Sequence, residues 1–180
     1  MKRWLIGVLC IGLVALWSPA YGQPKSSDFF MEQFVFGLLG GFLGGPTVEL
    51  MYVTTLCREA PDPNLCHGLG FAAMQIVVYT LTLPLGASVG IIADGFWRGV
   101  VSDPLDWFFI YLYAMVGSWS GWLHAAGMVK VSELLVDTFG WDLNITAIYT
   151  VTRVSLPILY AALFGTLGFH WQLPLFSARF

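Results

Sequence analysis

The first apolar segment of the chain carries glycines at helical spacing, and this feature limits the fold more than any other. Gly37, Gly41 and Gly45 lie four residues apart, as do Gly40 and Gly44, so on a helix they form a ridge without side chains. In water such a helix is unfavourable, because each glycine costs about 1 kcal/mol relative to alanine. In a bilayer the same ridge lets another helix approach closely. The segment therefore predicts a membrane helix packed against a second helix.

The composition agrees with a membrane protein. Of the 180 residues, 57% are hydrophobic and 11% are charged, whereas soluble domains have about 45–50% and about 25%. The net charge is −3, and a nucleic-acid partner requires a basic surface. We therefore expect a lipid bilayer as the main partner and no nucleic acid.

The N-terminus has the three parts of a secretory signal peptide. Lys2 and Arg3 precede an apolar core, and the segment ends in Ala20-Tyr21-Gly22, which is similar to an Ala-x-Ala cleavage site. We predict a cleaved signal peptide over residues 1–22 and a single helical transmembrane domain over residues 23–180. Export through the secretory route, into a bacterial inner membrane, follows from this prediction. The alternative is an uncleaved anchor, although the core is short for a span of ~20 residues.

Four apolar segments predict an all-α integral membrane bundle of four glycine-rich transmembrane helices. The predicted spans are residues 29–56, 68–93, 107–129 and 145–171. The first would be about 42 Å long at 1.5 Å per residue, which exceeds the ~30 Å hydrocarbon core. Pro46 lacks a backbone donor and predicts a kink or a break. The segment is therefore either one long bent helix or a span followed by a shorter helix.

The stretch after the third span has a different pattern. Apolar Val131, Leu134, Leu135 and Phe139 share one face, opposite Lys130, Glu133 and Asp137. This pattern predicts a short interfacial helix on the membrane surface. Gly140 is expected to end it, and Asn144 is expected to cap the last span.

Small residues four apart recur in every predicted span and predict helix packing. They are Gly37, Gly40, Gly41, Gly44, Gly45, Gly86, Gly90, Gly117, Gly121, Ala161 and Gly165. We expect these stripes to support a homo-oligomer or a contact with another membrane protein.

Two charges fall inside the predicted spans. Glu49 lies near the end of the first span and Arg153 near the start of the fourth, so a simple alternation of helices places both about 10–12 Å deep on the same side. We predict a buried ion pair. It would either neutralise two buried charges and set the helix register, or form a polar centre in an ion or proton path.

Two cysteines remain after removal of the signal peptide. Cys57 and Cys66 flank a polar loop, and three alternatives stay open for them. They are free thiols in a cytoplasmic loop, a disulfide in an oxidising compartment, or a metal site with His67. The wide spacing makes metal the least favoured, and we assign no metal ligand.

His124 lies inside the third span and is a candidate polar site. A single intramembrane histidine is expected to bridge to a neighbouring helix, and no second histidine lies at the spacing of a haem ligand pair. The sequence lacks a nucleophile elbow, a zinc-protease motif, a phosphate loop and a dinucleotide fingerprint. We therefore identify no catalytic residues and no cofactor, and an enzyme is not favoured.

These observations favour a structural or assembly component of a membrane complex. The alternative is a small oligomeric channel or transporter with Glu49 and Arg153 at its polar centre. A membrane enzyme or haem carrier that uses His124 is the third hypothesis.

Overall fold

The computed structural model describes residues 29–57, 69–100 and 104–177, and this part of the chain is helical without strands. The elements are α1 (Phe30–Gly44), α2 (Pro46–Met51), the π-helical turn π1 (Tyr52–Leu56), α3 (Leu69–Val77), the π-helical turn π2 (Val78–Thr82), α4 (Leu83–Trp97), α5 (Pro104–Phe139) and α6 (Ile145–Ser177). The predicted signal peptide lies outside the described residues.

Three of the described helical segments are long and apolar enough to cross a membrane. They are Phe30–Thr55, Gly70–Trp97 and Ile145–His170. Helix α5, which contains the predicted third span, is not one of them, because Trp, Tyr, Ser and Gly residues lower its average hydropathy. The all-helical membrane class therefore stands, and the count of four spans is not confirmed.

Helical hydrogen bonds continue from α1 into α2 across Gly45. The Gly45 amide donates to the Gly41 carbonyl at 2.9 Å, and the Glu49 amide donates to the Gly45 carbonyl at 3.1 Å. Pro46 begins α2, where its missing N–H does no harm. The chain thus has one long bent helix here and does not turn back.

Helix α5 is a single helix of 36 residues, or about 54 Å. The separate interfacial helix predicted from Lys130 is therefore wrong, because residues 130–139 continue α5 without a break. This stretch contains no proline, and Val131, Leu134 and Phe139 of its apolar face are exposed. Gly140, with a φ of 66°, ends the helix, and Asn144 Oδ1 caps α6 by accepting from the Ala147 amide at 2.9 Å.

The bundle is built from two helix pairs. The most extensive contacts join α5 to α6 and α1 to α4, and α6 also packs against α1. Ala87, Ile91, Ile110 and Ala114 are fully buried where the pairs meet. The centre of the bundle is therefore mainly apolar, although Gln33, Ser118 and Thr166 are also fully buried.

The glycine ridges lie inside this packing. A Cβ atom on Gly40 would overlap the Gly86 carbonyl, and a Cβ on Gly90 would overlap the Phe36 carbonyl. In the second pair a Cβ on Gly121 would lie 2.5 Å from the Leu156 carbonyl oxygen. The backbones touch because no side chain separates them.

The other predicted packing residues also face this chain. Gly37, Gly41, Gly44, Gly45, Gly86, Gly117 and Gly165 each have atoms of a facing helix within 4 Å of the position of a Cβ, and Ala161 is fully buried. The ridges are thus filled by the chain's own helices. The expectation that these stripes also support a homo-oligomer or a contact with another membrane protein stays a prediction.

In the second span a tyrosine hydroxyl replaces a backbone hydrogen bond that a proline cannot make. Pro84 has no N–H to offer to the carbonyl of Thr80, four residues earlier. The Tyr111 hydroxyl on α5 donates to that carbonyl at 2.5 Å. A side chain from the neighbouring helix thus satisfies an acceptor that proline leaves unpaired inside the bundle.

Candidate functional site

A buried ion pair joins the first span to α6. Nη2 of Arg153 contacts Oε1 of Glu49, and the two side chains are 13% and 23% exposed. The structure thus brings together the two charges that the sequence places inside spans. Charges at this depth are costly unless they are paired.

Helix α3 supplies further partners for the guanidinium. With its amide oxygen turned toward Arg153, Gln75 accepts a hydrogen bond from Nε at 3.0 Å and another from Nη2. The guanidinium carbon lies 4.8 Å from the ring centroid of Phe71 and 5.6 Å from that of Tyr149, which adds cation–π attraction. Arg153 therefore ties three helical segments together.

The backbone of Arg153 is held as well. Pro157 lies four residues later and offers no N–H to the Arg153 carbonyl. The Tyr79 hydroxyl in π2 donates to that carbonyl at 3.3 Å. This repeats the arrangement of Pro84 and Tyr111, so each of these two prolines has a tyrosine partner on another helix.

Sequence analysis identifies neither Gln75 nor Tyr79 as a partner of the ion pair. The signal was present in the spacing, because Phe71, Gln75 and Tyr79 are four residues apart and lie along one face of α3 and π2. A proline four residues after an intramembrane arginine is a second signal, since it marks a free carbonyl that needs a donor.

Both π-helical turns border this cluster. π1 begins three residues after Glu49, and π2 contains Tyr79. Single π-helical turns inside helices are frequent at functional sites. The cluster of Glu49, Gln75, Tyr79 and Arg153 is therefore the candidate site.

An open groove of about 310 Å³ lies beside the ion pair. It is lined by Pro46, Glu49, Leu50, Val53, Thr150, Arg153 and Val154. Apart from the ion pair and one hydroxyl, its walls are apolar. Within the described residues no group of three His, Cys, Asp or Glu side chains could hold a metal ion.

A second polar cluster lies at the opposite end of the bundle. Nε of Arg98 is 3.3 Å from both carboxylate oxygens of Asp94, and Nη2 contacts Glu32. Sequence analysis ends the second span at Ala93, but α4 continues to Trp97 and buries Asp94. The i, i+4 ion pair with Arg98 offsets the free-energy cost of burying the Asp94 carboxylate.

The two polar clusters are not connected through the described part of the bundle. The fully buried side chains of Ala87, Ile91, Ile110 and Ala114 lie between them. Buried Ser88 and Thr166 donate to the Pro84 and Ala162 carbonyls of their own helices. Buried Gln33 and Ser118 have no hydrogen-bond partner among the described residues. The arrangement does not form a polar path through one chain.

His124 bridges two helices. Its Nδ1 lies 2.6 Å from the Tyr160 hydroxyl on α6, and the two rings meet edge to face at 5.7 Å. The other described histidine, His170, packs on the rings of Phe29 and Phe30 near the far end of α6. His124 thus has a structural partner and no second histidine beside it in the described residues.

The cysteine loop is only partly described. Cys57 directly follows π1, whereas Cys66 and His67 lie outside the described residues. The predicted pairing of Cys57 with Cys66 stays a prediction.

The geometry defines a class of protein, and comparison with known proteins adds no family. The chain is an all-helical protein with three helices long and apolar enough to cross a membrane. No family model matches it, and no curated protein or solved structure is significantly similar. Function must therefore be argued from the site and the surface.

Proposed function

We propose that this protein is a non-enzymatic assembly component of a membrane complex. The glycine-packed bundle anchors it in the bilayer, and the end of the α5–α6 hairpin contacts a partner protein. We call residues 130–144 the hairpin tip. Export into a bacterial inner membrane belongs to the same proposal.

The exposure of the hairpin tip is the observation that supports this function. No side chain between Lys130 and Asn144 is buried, and Val131, Leu134 and Phe139 are 57%, 63% and 65% exposed. A helix of about 54 Å is much longer than the ~30 Å hydrocarbon core, so part of α5 extends beyond the lipid tails.

The charges of the tip support a position outside the hydrocarbon. Lys130 donates to Glu133 at 2.7 Å and is 79% exposed, and Asp137 and Asp142 are also exposed. The exposed side of α1 carries Leu39, Phe42 and Leu43, and no charged residue lies between Glu32 and Glu49. Apolar side chains that are exposed among charges in water are typical of a protein contact.

Site-specific photocrosslinking in native membranes tests the proposal. A photoreactive phenylalanine analogue replaces Leu134 in the full chain, and the matched control carries it at Leu39, which is 56% exposed on α1. We expect a protein adduct of defined mass from position 134 and none from position 39. A second copy and a different protein give adducts of different mass.

A variant provides the second measurement. Leu134→Asp should reduce the size of the complex in native gels while the helix content stays unchanged, because the substitution lies on an exposed surface. An unchanged complex together with no adduct at position 134 would refute the assembly role.

The channel alternative finds less support. It requires polar groups that line a path across the bundle. The layer around Ile91 and Ile110 consists of buried apolar side chains with single buried hydroxyls at Ser88, Ser118 and Thr166. A channel between chains would need the polar clusters at the outer surface, but Arg153 and Asp94 are largely buried.

A further inference from the structure

The groove beside the ion pair has the size of a ligand site. Its volume of about 310 Å³ lies at the lower end of the ~300–1,000 Å³ typical of ligand pockets. It opens sideways, because Leu50 and Val53 on its rim are 63% and 47% exposed. A ligand could therefore enter from the bilayer without passing through the bundle.

The ion pair has hydrogen-bonding capacity beyond its own contact. Arg153 uses Nη2 for Glu49 and Nε with Nη2 for Gln75, and Glu49 uses Oε1 for Arg153. A guanidinium has five N–H donors and a carboxylate has two oxygens, so this pair can still donate to one polar group and accept from another.

Depth and charge select the head group. Glu49 lies seven residues before Leu56 at the end of π1, or about 10 Å along the helix axis. The pair is neutral overall, so an anionic head would compete with Glu49 for the arginine. Moving an extra charge to this depth is also costly.

We propose that the groove binds an uncharged lipid with a hydroxyl or ester carbonyl head, of the diacylglycerol class. The head accepts from Arg153 and donates to Glu49, and one acyl chain lies along Leu50, Val53 and Val154. This binding site is independent of the partner contact at the hairpin tip.

Two photoreactive lipids test the head-group preference. One is a diacylglycerol with a diazirine in its acyl chain, and the other is the phosphatidic acid with the same acyl chains. The full-length protein is labelled in vesicles that contain equal amounts of either probe, and the adducts are mapped by mass spectrometry. We expect adducts on residues 46–53 and 150–154. Labelling by the diacylglycerol probe should be about tenfold stronger than labelling by the phosphatidic acid probe. A tenfold ratio corresponds to ~1.4 kcal/mol, which is less than the cost of moving the phosphate charge to this depth.

A filled groove provides the matched control. Val53→Trp should lower diacylglycerol labelling to the level of phosphatidic acid, whereas Val151→Trp on the lipid-facing side of α6 should not change it. Val151 is 64% exposed and does not line the groove.

Competition gives a test without substitutions. Unlabelled diacylglycerol should remove the adducts, and unlabelled phosphatidylglycerol should not. Equal labelling by both probes, or full labelling of the Val53→Trp protein, would overturn the proposal and leave only unselective contact with lipid tails.

Discussion

The hydrogen bond between the Tyr79 hydroxyl and the Arg153 carbonyl leads to a quantitative prediction. Tyr79→Phe removes only the hydroxyl, so the edge contacts of the ring with Trp119 and Trp122 at 6.3 and 6.5 Å should remain. The carbonyl then loses its donor, because Pro157 cannot replace it. An unsatisfied buried acceptor costs about 1–3 kcal/mol, and interhelical hydrogen bonds in membranes average about 0.6 kcal/mol with a maximum near 1.7. We expect a loss of about 1 kcal/mol in the free energy of unfolding.

A double-mutant cycle with Pro157→Ala separates this effect from general damage. Alanine restores an N–H four residues after Arg153, so Tyr79→Phe should cost close to nothing in that background. The free energies are measured by reversible unfolding in bicelles or by steric trapping. The coupling energy should be about 1 kcal/mol. An equal cost of Tyr79→Phe with and without Pro157 would refute the explanation.

The remaining predictions concern packing, charge and the second proline. Gly86→Val should prevent folding, because its Cβ would overlap the Gly40 carbonyl. Gly127→Val should change stability little, because no atom of another residue lies within 4 Å of a Cβ there. Thermal unfolding of both variants checks this prediction. Glu49→Gln should cost about 3–5 kcal/mol, the usual result of leaving one charge of a buried pair alone, and an unfolding free energy within 1 kcal/mol of the parent would contradict it. Tyr111→Phe should lose about 1 kcal/mol, again only while Pro84 is present, as a cycle with Pro84→Ala would measure.

Simple counting along the chain predicts part of this site. Rise per residue places Glu49 and Arg153 at the same depth, and the structure puts them in contact. Their additional partners depend on how α3 is rotated about its axis. Counting residues along the first and last spans gives no information about that rotation. Gln75 and Tyr79 therefore become visible only once the helices are packed.

Helix ends are harder to predict from composition. Asp94 follows a long apolar run, and a carboxylate there suggests the end of the span. In the fold Arg98, one turn later, pairs with it and lets α4 continue. Likewise the amphipathic pattern after Lys130 suits both a surface helix and the exposed end of a longer helix, and the structure leaves Val131, Leu134 and Phe139 exposed.

The glycine ridges show the same limit in a different way. Their spacing predicts a close contact between helix backbones, and Gly40 and Gly86 do face each other. Spacing alone does not say whether the facing helix belongs to the same chain. The answer depends on which ridges pack against helices of the same chain, and here helices of the same chain pack against them.

The continuous first span makes two of the predictions incompatible. A cleaved signal peptide leaves Gln23 on the exported side, and one crossing by the bent helix then delivers Cys57 to the cytoplasm. A disulfide between Cys57 and Cys66 needs an oxidising compartment. Because the chain does not turn back at Gly45, both cannot hold in one molecule.

Thiol labelling in intact cells decides between the two topologies. If the cysteine loop is exported, a membrane-impermeant maleimide should label Cys57 and Cys66 only after reduction. If the signal peptide is cleaved, the same reagent should fail with or without reductant, and a permeant maleimide should label both residues directly. A double variant with both cysteines replaced by serine controls for other reactive groups. Oxidised cysteines together with an N-terminus at Gln23 would show that the first span does not cross the membrane as one bent helix.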